Sequence, residues 1–247
     1  MLFDLINGRI ASVEEFIVTL LSLLFVIFCT MPVHEAAHAF TANKLGDSTA
    51  KYSGRLTLNP LKHINYMGAL LILVFGFGWA EPVPVNQWNL KKPKKDMALI
   101  AAAGPVSNLL MGFILLIISN IIILVSKLII GYVDPVLPGD NAIYLSSGII
   151  TYRIILDICT FFYYAAWINV CLAVFNLIPI PPLDGSRIVG AFLPNNIYYK
   201  LQSIERYSFI IVMVLAATGA LSSGLGYISN HVFDFIDTVA SLPFALF

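Results

Sequence analysis

Charged residues are scarce in this sequence. They account for 11% of its 247 residues and hydrophobic residues for 59%, against averages of about 25% and about 45–50% in soluble domains. The mean hydropathy of the chain is +0.86. This composition excludes an ordinary soluble domain and predicts a protein that crosses a lipid bilayer several times.

The sequence also lacks an excess of either charge and a framework of cysteines. Its 14 basic and 14 acidic residues cancel, which excludes the positive field typical of nucleic-acid-binding proteins. Cys29, Cys159 and Cys171 lie inside apolar segments and form no CxxC pair, so we interpret them as small core residues. The N-terminus lacks a basic region followed by a small-residue cleavage site, and we expect no removable signal peptide.

Long apolar segments predict about four to six transmembrane helices. The first segment, 13–44, would be roughly 48 Å long as one helix, which exceeds the bilayer core of about 30 Å, and Pro32 is expected to kink it. The last segment, 226–247, contains Asp234 and Asp237 and is either a further span or an interfacial helix. The segments predicted to span are 13–44, 97–130, 148–178 and 207–222.

A shorter apolar segment lies between two basic stretches. Met67–Trp79 is too short to span comfortably, and basic residues flank it at 51–62 and at 91–95. By the positive-inside rule both of its ends lie in the cytoplasm, so we predict a re-entrant, β-like hairpin around 66–86. Such backbone is stable at membrane depth only where it lines a cavity or packs against protein.

Charge bias places two distant stretches at the same depth. Loop 131–147 has no Lys or Arg and is predicted to face outward, whereas loop 183–206 is basic and is predicted to face the cytoplasm. Residues 34–38 and 176–186 then both lie near cytoplasmic ends of membrane helices. The expected fold is an all-α polytopic membrane protein.

Residues 34–38 read HEAAH, an HExxH motif inside the first apolar segment. On a helix His34 and His38 lie one turn apart on one face, and both imidazoles can reach a single Zn²⁺. Glu35 lies off that face, where it can hold a water molecule and act as a general base. A coincidental polar cluster is the alternative, but ionisable residues inside apolar helices are costly and mark functional sites.

A catalytic zinc ion needs a third protein ligand and one open position. His63, His231 or an acid at matching depth can supply that ligand. The stretch NLIPIPPLDGSRI at 176–188 offers Asp184, which follows three helix-breaking prolines at the cytoplasmic end of a predicted span. The alternative role for Asp184 is to cap a short helix at 186–193.

Four stretches, in this order, closely resemble the site-2 protease family of intramembrane zinc metalloproteases. They are HEAAH, FGFGWAEPVPVN at 75–86, AGPVSN at 103–108 and NLIPIPPLDG at 176–185. The resemblance covers roughly residues 15–200 and is to the short bacterial and archaeal type without a PDZ or CBS domain. Relatives often have a basic residue where Glu81 stands in this sequence, a departure that leaves the catalytic set intact.

The resemblance implies a complete metal centre. By it, His34, His38 and Asp184 bind one Zn²⁺ per chain, and Glu35 is the catalytic acid and base. Asn176 matches the family asparagine that binds substrate or stabilises the oxyanion, although an asparagine in a membrane helix can equally serve an interhelical hydrogen bond.

Further residues are weaker candidates for contact with the substrate. Asn108 follows Gly104 and Ser107, which favour close helix packing, and Pro105, which kinks the helix; this context favours a structural role for Asn108 over substrate binding. Asn169 lies seven residues before Asn176 and shares its helix face, so it is a candidate for the same cavity. Phe77 and Gly78 lie in the predicted re-entrant segment, where an extended substrate could dock by β-addition.

We therefore expect a single transmembrane protease domain over 1–247, with a catalytic core at about 13–200 and extra C-terminal helices at 207–247. The expected reaction is hydrolysis of a peptide bond in or beside a transmembrane segment, in regulated intramembrane proteolysis. The expected substrate is a single-span membrane protein or a signal-peptide remnant, and the active site faces the cytoplasm from the cell membrane. Regulation falls to a membrane partner or to helix motion.

Two other functions compete with this one. A membrane zinc transporter or sensor could use the same ligands, but it has no need of Glu35. A catalytically inert protein could sequester membrane partners, but it has no need of an intact set of ligands and acid. Replacing Glu35 separates proteolysis from transport.

Overall fold

In the computed structural model, all regular secondary structure of the described residues is helical, which confirms the all-α prediction. The described residues are 12–75, 80–130, 146–198, 200, 203 and 220–245. The helices are α1 (Val13–Phe25), α2 (Met31–Leu45), α3 (Thr49–Tyr52), α4 (Tyr66–Phe75), α5 (Pro93–Ile130), α6 (Ser146–Asn176), α7 (Asp184–Gly190) and α8 (Ala220–Ser241).

Helices α1 and α2 form one long rod that is interrupted by a π-helical turn, Val26–Thr30. Pro32 lies directly after this turn, in the first turn of α2. Pro32 has no N–H to donate to an α-helical hydrogen bond. The N–H of Met31, directly before it, donates to the Val26 carbonyl, five residues earlier and not four as in an α-helix. The disturbance expected at Pro32 thus takes the form of a widened turn just before the HEAAH motif.

Three helices in the described ranges are long and apolar enough to cross a membrane: Val13–Leu45, Pro93–Leu128 and Arg153–Asn176. They correspond to the first three predicted spans. The predicted fourth span, 207–222, falls almost wholly outside the described residues. Helix α8, which contains most of the segment left open between a span and an interfacial helix, is not among the three.

The predicted re-entrant segment has two different parts. Its first part is the helix α4, and residues 80–86 have no regular secondary structure. No strand forms among its described residues, so the β-like backbone predicted there is not found; re-entry itself stays a prediction. Residues 76–79, with Phe77 and Gly78, lie outside the described part of the chain.

Small residues let α5 and α6 pack closely. Ala165, Ala166 and Ala173 of α6 are fully buried, and a Cβ at Gly112 of α5 would lie 3.3 Å from the Ala166 carbonyl oxygen. Small residues at such a contact allow two membrane helices to approach at backbone distance. The buried side chains around the contact are Val26, Leu115, Leu116, Val170, Val174, Phe233 and Ala240.

A short connection after α6 returns the chain to the bundle. The Pro181–Pro182 peptide bond in it is cis, and α7 then begins at Asp184 with Leu183 as its N-cap and no side-chain capping bond. A Cβ at Gly185 would collide with the Leu177 carbonyl group, so only glycine lets the start of α7 lie this close to the chain that follows α6. Asp184 does not cap the helix, and its carboxylate points elsewhere.

Candidate metal centre

The HEAAH motif occupies the middle of α2, and its histidines face the interior. His34 and His38 are 7% and 8% exposed, as expected for two residues one helical turn apart on one buried face. Their Nε2 atoms lie 3.1 Å apart. Two imidazole nitrogens this close and this buried favour a shared proton or a shared cation between them.

Asp184 completes the cluster from the opposite end of the sequence. Its Oδ2 atom lies 3.4 Å from His34 Nε2 and 3.3 Å from His38 Nε2. Asp184 is the first residue of α7, and the packing of α7 against α5 delivers the carboxylate to this point. Charge bias predicted a common depth for these two distant stretches, and the structure brings them into contact.

The spacing of these three atoms fits a tetrahedral zinc ion. Ligands at about 2.0–2.1 Å from Zn²⁺ in a tetrahedron are about 3.3–3.4 Å from one another, close to the separations of 3.1, 3.3 and 3.4 Å observed here. Two imidazoles and one carboxylate form a known catalytic zinc set that leaves a fourth position open. Within the described residues, this is the one group of His, Cys, Asp and Glu close enough to hold a metal ion.

A carbonyl group of α5 sets the proton on His38. His38 Nδ1 lies 2.7 Å from the Ile100 carbonyl oxygen, which can only accept. The Nδ1–H must therefore donate, and the Nε2 lone pair is left facing Asp184 and His34, as a metal ligand requires. This partner is a backbone group in a buried apolar helix, so no side-chain pattern in the sequence could have identified it.

The other two candidates for the third ligand lie elsewhere. His63 Nε2 donates to the Thr57 carbonyl at 2.8 Å, and His231 Nδ1 lies 2.9 Å from the Tyr227 carbonyl within its own helix. Neither belongs to the cluster.

Gly104 is a residue of the site that sequence reasoning assigned to helix packing. A Cβ at this position would lie 2.6 Å from His34 Cε1 and in still closer contact with the His38 ring. Helix α5 therefore approaches both imidazoles at a distance that only a glycine permits. The sequence signal for this role was a glycine next to Pro105 in a long apolar helix, but that signal did not show that Gly104 would contact the His34 and His38 rings.

The cluster lines a cleft of about 370 Å³. Glu35, 9% exposed, lines this cleft together with Asn108 and Asn176. Apolar side chains form most of the walls. The lining residues are Met31, His34, Glu35, His38, Ala80, Pro82, Val83, Val85, Ile100, Ala101, Asn108, Leu172, Phe175, Asn176, Pro182, Leu183, Asp184 and Arg187.

The three asparagines differ in their surroundings. The Asn108 Oδ1 atom is buried and has no hydrogen-bond partner among the described residues, whereas Asn176 donates from Nδ2 to the Leu172 carbonyl at 2.9 Å. Asn169 is fully buried, donates to the Ala165 carbonyl at 2.8 Å and does not line the cleft.

Arg187 also lines the cleft. From the sequence, Arg187 counted only as one of the positive charges that predict a cytoplasmic location for loop 183–206. Its position three residues after Asp184 on α7 places both side chains on one helix face, and that spacing was the signal available in the sequence.

Comparison with known proteins gives the same chemistry. The family model of peptidase family M50 matches residues 21–219. The chain is 40% identical to "Putative zinc metalloprotease YwhC" of Bacillus subtilis, over 79% of this chain and 80% of the relative. It is 29% identical to "Putative zinc metalloprotease Rip2" of Mycolicibacterium smegmatis, over 82% of this chain and 69% of the relative. No solved structure matches the chain significantly.

The family match covers most of the chain, and the buried His/His/Asp cluster is a donor set suited to zinc. The chain therefore belongs to peptidase family M50, the site-2 protease family, and is a zinc-dependent metallopeptidase of the membrane.

Proposed function

We propose that this metallopeptidase hydrolyses a peptide bond in or next to a transmembrane segment of its substrate, in regulated intramembrane proteolysis. The observation that carries the proposal is the location of the His34, His38 and Asp184 cluster. Two of these residues lie in α2, part of a continuous helix long and apolar enough to cross a membrane. A water-dependent site in such a helix serves substrates that are themselves in the bilayer.

In this proposal His34, His38 and Asp184 hold one zinc ion per chain. The ion supplies Lewis-acid polarisation of the scissile carbonyl and lowers the pKa of a water molecule. The Ile100 carbonyl keeps His38 in the tautomer that can bind, and Gly104 keeps α5 close behind both rings.

Glu35 is the proposed general base and acid. It lines the cleft beside the two histidines and is not one of the three converging ligands. Its carboxylate takes a proton from the attacking water molecule and later gives that proton to the leaving amine. Asn176 and Asn108 also line the cleft, where their amide groups are proposed to bind the substrate backbone or the developing oxyanion. Asn169 is the weaker candidate, since it is buried and does not line the cleft.

The substrate is proposed to be a single-span membrane protein or a signal-peptide remnant. A helical substrate hides its carbonyls in backbone hydrogen bonds, so it has to unwind before cleavage. Phe77 and Gly78 are proposed to support docking of the unwound peptide. The proposed setting is a multi-pass protein of the cell membrane whose cleft opens toward the cytoplasm, with regulation by a membrane partner or by helix motion.

The test pairs zinc stoichiometry with cleavage of a panel of single-span substrates, for the wild type and for Glu35→Gln. We expect one zinc ion per chain in both proteins and cleavage by the wild type alone, with a loss of at least about 100-fold in the variant. His34→Ala serves as the control that loses zinc as well as activity.

Other outcomes would contradict the proposal. Absence of zinc from the wild type would overturn the ligand set. One zinc ion per chain, with no cleavage and with zinc uptake into proteoliposomes that Glu35→Gln leaves unchanged, would favour the transporter.

A further inference from the structure

One wall of the cleft is a short length of extended chain. We call residues 81–86 the cleft strap; within it Pro82, Val83 and Val85 line the cleft. The strap has no regular secondary structure. Residues 82–85 make no hydrogen bond with any other described residue. Val85 packs against the buried cluster of Ala42, Leu90, Met97 and Ile100, and hydrogen bonds hold the strap at its two ends.

The first end is fastened to the connection before α4. The Glu81 N–H donates to the His63 carbonyl at 2.8 Å, and His63 is fully buried. The Glu81 carboxylate accepts a hydrogen bond from Asn65 at 3.1 Å and lies 3.8 Å from Arg55. The Glu81 side chain is 43% exposed, so its ion pair contributes little and the backbone bond is the main restraint at this end.

The second end is fastened by a buried carboxylate. Asp47 is fully buried, and its Oδ2 accepts the Asn86 N–H at 2.7 Å. Its Oδ1 accepts from the Asn89 side-chain amide at 2.8 Å and from the Thr49 N–H at 3.1 Å. Hydrogen bonds to an ionised acceptor are among the strong ones in proteins, so this end is held more firmly than the first.

Asp47 is ionised at neutral pH despite its burial. Burial alone would raise the pKa of its carboxyl group, but the hydrogen bonds from Thr49, Asn89 and Asn86 outweigh burial and place the pKa below its ordinary value. The carboxylate is thus suited to hold several donors at once.

Asp47 also connects the strap directly to the metal-binding helix. It lies two residues beyond the end of α2, after Gly46, whose φ of 109° closes that helix. Helix α2 carries His34, Glu35 and His38. One rigid helix therefore sets the distance between the candidate metal centre and the strap.

We propose that Asp47 is a positioning residue for substrate: it holds the cleft strap at a fixed distance from the candidate metal centre, so that a peptide fits between the two. The proposal rests on the proteolytic function proposed above. The unbonded backbone of Val83 and Val85 is the surface that the peptide meets. Asp47 touches neither peptide nor metal, and its effect passes through Asn86 and Asn89.

The test replaces Asp47 with asparagine in the full-length protein. Asp47→Asn keeps the size of the side chain but turns an NH₂ group toward donors that the carboxylate accepted. Ser48→Ala is the matched control, because the Ser48 hydroxyl donates to the Asn43 side chain at 3.0 Å and makes no hydrogen bond to the described residues of the strap. The probe is a synthetic transmembrane helix with a fluorophore and a quencher, and zinc content and hydrogen exchange are measured on the same samples.

We expect Asp47→Asn to raise KM about tenfold, with kcat changed by less than about twofold, because binding common to ground and transition states is lost. Zinc stays at one per chain, and hydrogen exchange rises over residues 81–90 but not in α2. Ser48→Ala behaves as the wild type.

An unchanged KM would overturn the proposal, and so would loss of zinc, which would assign Asp47 to the metal helix itself. If the wild type cleaves no probe, the result counts against the proposed proteolytic function and not against the role of Asp47. Hydrogen exchange then still decides, since unchanged exchange over 81–90 in Asp47→Asn would refute the role of Asp47.

Discussion

At Gly104, helix α5 lies in van der Waals contact with both imidazoles of the candidate metal centre. No side chain separates this backbone from the His34 and His38 rings. The Ile100 carbonyl, one turn earlier on α5, receives the His38 Nδ1–H. One turn of α5 thus sets both the orientation and the tautomer of a metal ligand, in the way outer-shell groups act at zinc sites.

Gly104→Ala should therefore damage the metal centre. The added methyl group would displace the His38 ring, and we expect zinc affinity to fall by about 10- to 100-fold, as when an outer-shell group is lost. The measurement is bound zinc per chain after equilibration with a competing chelator. The same substitution improves helix propensity by about 1 kcal/mol, so a loss of zinc would not reflect a weaker helix.

Gly112→Ala is the matched control for that substitution. Its Cβ would press on the Ala166 carbonyl at 3.3 Å, two turns away from the histidines. It tests the packing of α5 against α6 without touching the metal centre. Equal zinc affinity in the Gly104→Ala variant and the wild type would show that the imidazoles can move aside without cost.

Residue types predicted the candidate ligands because zinc chemistry restricts them. The HExxH spacing is set by the helical repeat, and Asp184 stood out because it follows a run of prolines at the end of a predicted span and matches the motif of the family that the sequence resembles. Gly104, the Ile100 carbonyl and Asp47 were not identified because their roles depend on which helices touch. A single sequence gives the periodicity of each helix but not its neighbours.

Among the elements, the chain between α4 and α5 differs most from its prediction. The sequence predicted a β-like re-entrant hairpin, but α4 is helical and the strap is extended without a strand partner among the described residues. Pro82 and Pro84 lack the N–H that a ladder needs, which explains why an extended segment forms no strand. Tertiary anchors at His63 and Asp47 replace ladder hydrogen bonds here.

Substrate docking at Phe77 and Gly78 can be tested with proline. Phe77→Pro and Gly78→Pro each remove an N–H and fix φ. We expect cleavage to fall at least about tenfold while zinc stays bound, since neither substitution replaces a candidate metal ligand. The measurements are cleavage rate and zinc stoichiometry.

Phe77→Ala and Gly78→Ala are the controls for docking, because both keep the N–H. Gly78→Ala should cleave at nearly the wild-type rate. Full activity in both proline variants would exclude docking of the substrate backbone at these two positions.

At the scale of the whole molecule, contacts join the three segments that carry the basic stretches, 45–65, 86–95 and 183–206. The Lys94 Nζ donates to the Leu193 carbonyl at 2.7 Å and lies 5.0 Å from the centre of the Tyr198 ring, which joins the start of α5 to the loop after α7. Asp47 joins the end of α2 to residues 86–89. The sequence predicted each of these stretches to be cytoplasmic separately, and their contacts support a common side.

This arrangement predicts a definite topology, which thiol labelling can test. In a variant with Cys29, Cys159 and Cys171 replaced by serine, Asp140→Cys should react with a membrane-impermeant maleimide in intact spheroplasts. Lys91→Cys should react only after lysis, because basic loops stay on the cytoplasmic side. Residue 91 has an exposed side chain, so its protection before lysis would reflect the membrane and not burial. The opposite labelling pattern would invert the proposed topology. The cleft would then open to the outside of the cell, and cleavage there could not release a substrate segment into the cytoplasm.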